Sequence, residues 1–201
     1  MSDDDRLCDP ALAPTRSPAP GKDTADHLTG RAVPAVPLPS TAGGVIRVDR
    51  VPDGSERLVV YAYPMTGLPG VENPRGWDDI PGARGCTSES CGFRDHAQEL
   101  AQVGAAVVGL STQTTAYQRE AVERLRLPFP LASDAELVLA RALGLPTFDA
   151  DVRDQHDGGG HKRLLRRLTF VVRDGVIEKV FYPVSSPDTH ATEVLAWVQD
   201  V

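Results

Sequence analysis

Along this chain of 201 residues the apolar positions change rhythm several times, and each change marks an element. Up to about residue 27 there is no rhythm. Pro, Asp and small residues dominate, which predicts a disordered tail (1–27) ahead of a single domain over 28–201. Val36–Ser40 and Val45–Val51 then flank Thr41-Ala42-Gly43-Gly44, the pattern of an N-terminal β-hairpin. The run Leu58-Val59-Val60-Tyr61-Ala62-Tyr63 is unbroken, as expected of a central strand (Arg57–Tyr63) covered on both faces. A loop rich in Gly and Pro, Pro64 to Gly85, leads into a helix from Cys86 to about Val103, with Phe93, Ala97, Leu100 and Ala101 as its apolar stripe.

The second half repeats strand and helix. Ala105–Leu110 predicts a strand, Thr114–Leu125 a helix, and Phe129–Leu131 a short strand. Ser133-Asp134-Ala135-Glu136 has capping-box form and opens a helix to about Leu143. Asp151–His161, with Gly158-Gly159-Gly160, predicts a flexible loop carrying His156 and His161 in solvent. Leu168–Val172 and Val176–Tyr182 flank Arg173-Asp174-Gly175, a hairpin signal. Ser186-Pro187 starts a last helix that runs to the end. The order β-β-β-α-β-α-β-α-β-β-α describes an α/β protein of thioredoxin-like layout, a central mixed sheet flanked by helices.

Composition narrows the function classes. A hydrophobic share of 41% and a charged share of 24% suit a globular domain, and a net charge of −7 argues against a nucleic-acid partner. No apolar run approaches the roughly 20 residues that span a bilayer. The acidic start Met1-Ser2-Asp3-Asp4-Asp5 lacks the basic and apolar regions of a secretory signal, so the expected location is the cytoplasm, with no membrane partner. Three cysteines make no disulfide framework. In a reducing compartment a close pair points to catalysis or metal.

That pair is Cys86 and Cys91. Cys86 stands where the glycine-rich loop gives way to a helix, so unpaired backbone N–H groups and the helix dipole favour its thiolate. On an ideal helix residues five apart have Cα atoms roughly 8–9 Å from each other, whereas a disulfide tolerates no more than about 7 Å. A bond between them therefore requires the first turns to unwind. Cys86 suits the attack on a peroxide O–O bond, and Cys91 the condensation with the resulting sulfenic acid. Zinc is disfavoured by the spacing and by His96 being the only nearby histidine, and Gly92 stands where a phosphatase loop needs arginine. Of Arg166 and Arg167, adjacent on a strand, only one can face a shared site, which makes the other a surface charge. No metal, haem, flavin or other cofactor is implied.

The run Cys86-Thr87-Ser88-Glu89-Ser90-Cys91-Gly92-Phe93-Arg94-Asp95 resembles the active site of the peroxiredoxins, most closely the bacterioferritin-comigratory or Q-type branch. The resemblance extends, in order, through Tyr61-Ala62-Tyr63-Pro64, Val108-Gly109-Leu110-Ser111-Thr112, Phe129-Pro130-Leu131-Ala132-Ser133-Asp134 and Arg167-Leu168-Thr169-Phe170, and covers roughly residues 34 to 200. It implies a thiol peroxidase acting on hydrogen peroxide or organic hydroperoxides, with Cys86 peroxidatic and Cys91 resolving. Arg167 would lower the thiolate pKa and hold the peroxide, and Glu89 would orient Arg167. A thioredoxin-like dithiol would recycle a monomer or homodimer.

One departure concerns the mouth of the site, lined on this resemblance by Ala83, Arg84, Gly85 and Thr87. The family normally places a threonine three residues before the peroxidatic cysteine. Here that residue is Ala83, in a loop more than ten residues longer than usual. Arg84, Thr87 or a backbone group would have to supply the missing hydrogen bond. Without a substitute the chain would act as a peroxide sensor of low turnover. The lack of Cys-x-x-Cys speaks against a disulfide oxidoreductase. Trp77, in the long loop, is expected either to pack that loop over the site or to meet a partner.

Overall fold

The computed structural model describes residues 24–152 and 160–201. Most of the expected tail, Cys8 included, and the Gly158-Gly159 and His156 part of the expected loop lie outside them. Thr24–His27 are already part of the packed chain. Ala25 and Leu28 are buried, and the Arg31 guanidinium donates to the carbonyl oxygens of Leu143, at 2.9 Å, and Ala142.

Nine strands are described: β1 (Leu38–Pro39), β2 (Val45–Ile46), β3 (Arg57–Ala62), β4 (Ala105–Ser111), β5 (Leu131–Ser133), β6 (Thr147–Asp151), β7 (His161–Leu165), β8 (Leu168–Arg173) and β9 (Val176–Phe181). The helices are α1 (Cys86–Asp95), α2 (Ala97–Gln102), α3 (Thr115–Leu125), α4 (Val138–Leu143) and α5 (His190–Gln199). The central sheet has the order β5-β4-β3-β8-β9, with β3, β4 and β5 mutually parallel, β8 antiparallel to β3, and β9 antiparallel to β8. This is the expected mixed sheet, with β3 buried at every residue.

Side chains alternate across it with the strand period of two. Val59, Tyr61, Val107, Leu131 and Val171 pack beneath α1, α2, α3 and α5. Leu58, Val60, Ala62, Val108 and Phe170 pack on the other face with α4 and the first residues of the domain. Gly109 on β4 is required by this packing: a Cβ there would meet Leu131 Cδ2 at 2.4 Å and the Tyr61 ring at 2.8 Å.

Several elements differ from those the sequence suggested. The helix expected over Cys86–Val103 breaks at His96, which leaves helical geometry (φ −98, ψ 5) while its ring bonds Glu99 and Thr192. The first hairpin is bridged only at Leu38–Pro39 and Val45–Ile46. The strand expected at 129–131 lies at Leu131–Ser133. The capping box does not start a helix at Ser133, whose hydroxyl donates to the Gln113 carbonyl oxygen at 2.7 Å. Asp134 instead caps α4 from a distance, its carboxylate accepting the N–H groups of Leu139 (3.2 Å) and Ala140 (2.8 Å).

The two ends of the expected flexible loop are strands. β6 and β7 pair antiparallel, with Asp149 opposite Arg163 and a 2.9 Å ion pair between them. The last helix begins at His190, not at Ser186-Pro187. Pro187 lies against Gly85, where a Cβ would meet its Cγ at 2.7 Å.

Beside the main core is a small third cluster: Met65, Trp77, Ala83, Ala150, Val152 and Leu164. It joins the long loop to the β6–β7 hairpin, with Trp77 and Phe148 rings 6.1 Å apart. Of the two expectations for Trp77, packing of the loop is the one observed. Arg166 stands over the Phe148 ring at 5.6 Å and is half-buried, so it is not the free surface charge expected of it.

Candidate active site

Cys86 is the first residue of α1, at the carboxyl end of β3 where the parallel strands open. Gly85 precedes it with φ +94, a left-handed turn that swings the chain from the long loop into the helix. No side-chain hydrogen bond caps this end of the helix. The thiol is 4% exposed and donates to the Ala83 carbonyl oxygen at 3.5 Å.

Arg167 meets the same sulfur, its Nη2 approaching to 3.2 Å. Arg167 lies in the short link between β7 and β8 and is buried, and every arm of its fork is used. Nη1 pairs with Glu89, Nη2 also donates to the Arg84 carbonyl oxygen at 2.8 Å, and Nε donates to that of Gly82 at 3.3 Å. Glu89 is one turn after Cys86 on α1 and fully buried, and its second oxygen has no hydrogen-bond partner among the described residues.

The electrostatics follow from this crowding. Burial pushes the Cys86 thiol up, Glu89 adds to that, and the Arg167 charge together with the Met65 N–H works against it. Burial also pushes the Glu89 carboxyl up to about 8, against the pull of Arg167. One buried cation thus faces two acids. That arrangement holds Arg167 in place and gives Cys86 an immediate counter-charge once it ionises.

The four residues expected at the mouth, Ala83, Arg84, Gly85 and Thr87, line an open depression of about 450 Å³ together with Met65, Trp77 and Cys86. The Arg84 guanidinium pairs with Asp78, and its carbonyl oxygen accepts from Arg167. Cys91 is half-buried further along α1, and both cysteines are free thiols. No group of three metal-ligating side chains occurs among the described residues.

Sequence reasoning missed the side chain that holds Thr66, in the loop beside the site. Gln113, just past β4, is buried and accepts from both the N–H (2.9 Å) and the hydroxyl (3.1 Å) of Thr66. Nothing in the sequence around Gln113 marks it, because its partner lies 47 residues away.

A five-stranded mixed sheet with a buried cysteine at a helix start and an arginine on the sulfur defines a thioredoxin-like thiol protein. The family described as Redoxin matches residues 28–195, and the chain belongs to it. A putative peroxiredoxin of Mycobacterium tuberculosis is 30% identical over 175 residues, covering 86% of this chain and 97% of the relative. A putative peroxiredoxin bcp of Coxiella burnetii is 28% identical over 167 residues, 83% of this chain and 95% of that one. Among solved structures, the peroxidoxin BcpB of M. tuberculosis superposes with a TM-score of 0.64 at 30% identity, over 86% of this chain and 97% of its own. The chain is a peroxiredoxin of the Q or bacterioferritin-comigratory branch, a thiol peroxidase. The alternative of a low-turnover sensor is not favoured by these relatives.

Proposed function

We propose that Cys86 is the peroxidatic cysteine, Cys91 the resolving cysteine, Arg167 the peroxide- and thiolate-binding arginine, and Glu89 the group that positions it. The 3.2 Å contact of Arg167 Nη2 with the Cys86 sulfur carries this reading. The Cys86 thiolate attacks one peroxide oxygen. The S–O bond forms as the O–O bond breaks, and the departing alkoxide or hydroxide takes a proton from water. Arg167, fixed by its other bonds, needs no reorganisation to meet the charge moving onto oxygen.

Cys91 then attacks the sulfenic acid, forming the disulfide and releasing water. Both cysteines lie on α1, so this step requires its first turns to unwind. A thioredoxin-like dithiol reduces the disulfide, taking the oxidation onto itself. The mouth admits hydrogen peroxide or organic hydroperoxides. The domain over 28–201 carries both cysteines, so a monomer suffices and a homodimer is compatible. The free thiols suit the cytoplasm. No helix among the described residues is long and apolar enough to cross a membrane.

The test is peroxide consumption with thioredoxin and its reductase. Wild type is expected to turn over many times, Cys86→Ser not at all, and Cys91→Ser to form the sulfenic acid once without efficient recycling. Full turnover by Cys86→Ser would overturn the assignment, and equal turnover by Cys91→Ser would move resolution elsewhere.

A further inference from the structure

We propose that Pro187 is a latch on the Cys86 end of α1. Its contact with Gly85 sets how fast the oxidised sulfur reaches Cys91, and so how the sulfenic acid divides between disulfide and sulfinic acid. This rests on the assignment of Cys91 as the resolving cysteine.

Two glycines bracket the cysteine pair, and both touch the chain that leads into α5. A Cβ on Gly85 would meet Pro187 Cγ at 2.7 Å and its Cβ at 2.8 Å. A Cβ on Gly92 would meet the Ala191 Cβ at 3.3 Å and the Asp188 carbonyl oxygen at 3.7 Å. The stretch from Pro187 to Ala191 thus lies directly on the α1 backbone at both ends of the segment that has to unwind.

The two contacts are held in different ways. At the Gly92 end α5 is fixed, with His190 and Ala191 each 1% exposed. The His190 Nε2 bonds the Thr169 hydroxyl of β8 at 2.8 Å, and its ring meets Phe93 of α1 edge-on at 5.9 Å and Phe181 at 5.6 Å. His96, just past α1, bonds the Thr192 hydroxyl at 3.1 Å. At the Gly85 end, Ser185, Ser186, Asp188 and Thr189 are exposed and Pro187 is half-buried. The proline ring can therefore part from Gly85 while α5 stays packed.

This asymmetry gives the unwinding a direction. Cys91 sits beside the fixed end, and Cys86 follows Gly85, whose φ of +94 makes the turn into the helix. Thr87 and Ser88, the next residues, are at least partly exposed and oppose the motion little. Once the latch parts, Cys86 swings toward Cys91, which attacks its sulfenic acid, forming the S–S bond and releasing water. While the latch holds, a second hydroperoxide competes. The sulfenic sulfur then gains one more oxygen and becomes sulfinic acid, and the peroxide is reduced to water or an alcohol.

The experiment compares Pro187→Ala, which removes the ring over Gly85, with Trp197→Ala. Trp197 lies in the last turn of α5, where its ring meets Phe181 at 6.1 Å, and its loss leaves both glycine contacts in place. Each protein is mixed with hydrogen peroxide, quenched at intervals and alkylated, and intact mass and peptide digests then separate thiol, sulfenic acid, sulfinic acid and Cys86–Cys91 disulfide. Pro187→Ala is expected to form sulfenic acid at the wild-type rate, to form the disulfide about fivefold faster, and to lose a correspondingly smaller fraction to sulfinic acid per turnover. Trp197→Ala is expected to lower the melting temperature and leave that partition unchanged.

An unchanged or slower disulfide step in Pro187→Ala, or an equal acceleration in Trp197→Ala, would overturn the proposal. Should Pro187→Ala not fold, Pro187→Ser, which also lacks the ring, makes the same comparison. Wild type and Cys91→Ser serve as controls. Absence of a Cys86–Cys91 disulfide in wild type would sink the resolving assignment and the latch with it, whereas its formation at one rate in wild type and Pro187→Ala sinks the latch alone.

Discussion

The two walls of the Cys86 site are built in opposite ways. The inner wall is a buried ion cluster: Arg167 and Glu89 have side-chain exposures of 1% and 0%, and both contribute directly to the charge at the sulfur. The outer wall is the long loop, held through Trp77 to Phe148 and the small apolar cluster around them, with its charged pair Arg84–Asp78 facing solvent. The inner wall sets the chemistry, and loss of its buried cation is costly because the acids facing it lose their counter-charge. The outer wall sets shape and access, and its stability comes from apolar contact.

Arg167→Met strikes the inner wall alone and has the largest expected effect. It removes the donor at the sulfur and strands Glu89, so peroxide reduction is expected to fall by about a hundredfold or more. Unfolding free energy is expected to drop by about 3–5 kcal/mol, measured by urea denaturation. A rate within threefold of wild type would mean that the inner wall does not govern the chemistry.

Trp77→Ala acts on the outer wall alone. Removing a buried aromatic is expected to cost about 3 kcal/mol, while the Cys86 thiolate midpoint stays in place. A shift of the midpoint as large as that of Arg167→Met would erase the distinction between the walls.

Glu89→Gln is the mildest change. Glu89 is pushed by burial from the ordinary 4.5 up to about 8, so the folded chain holds a proton that the unfolded chain gives up. Its contribution to stability is therefore present at low pH and lost as pH rises through about 8. The variant is expected to flatten that dependence and, by removing a like charge, to lower the Cys86 midpoint and change the rate only a few-fold. A stability profile that still falls across this window would assign it to another group.

The legibility of the two walls in the sequence differed for a physical reason. Inner-wall residues are specified by chemistry at short spacing: Cys86, Glu89 and Cys91 share one helix, and Arg167 directly precedes a strand whose apolar run is plain. Outer-wall residues are specified by contacts across the chain. Trp77 meets Phe148 only because the β6–β7 hairpin folds over the loop, and that hairpin was hidden by Asp149, Asp151 and a glycine run, all poor strand formers. The capping sequence at Ser133 misled because Ser133 spends its hydroxyl on Gln113 and leaves Asp134 to cap a helix that starts four residues later.

The order of residues alone was enough to locate the sheet's central strands, Cys86 at a helix start, and the kind of chemistry the cysteine pair can perform. Periodicity and helix-terminus electrostatics are local properties and survive without tertiary context. The fold settled how deeply the sulfur is buried, that Arg84 pairs with Asp78, and that Gln113 holds Thr66. Burial and hydrogen-bond partnership belong to pairs of residues distant in the chain, and the fold alone brings those pairs within reach.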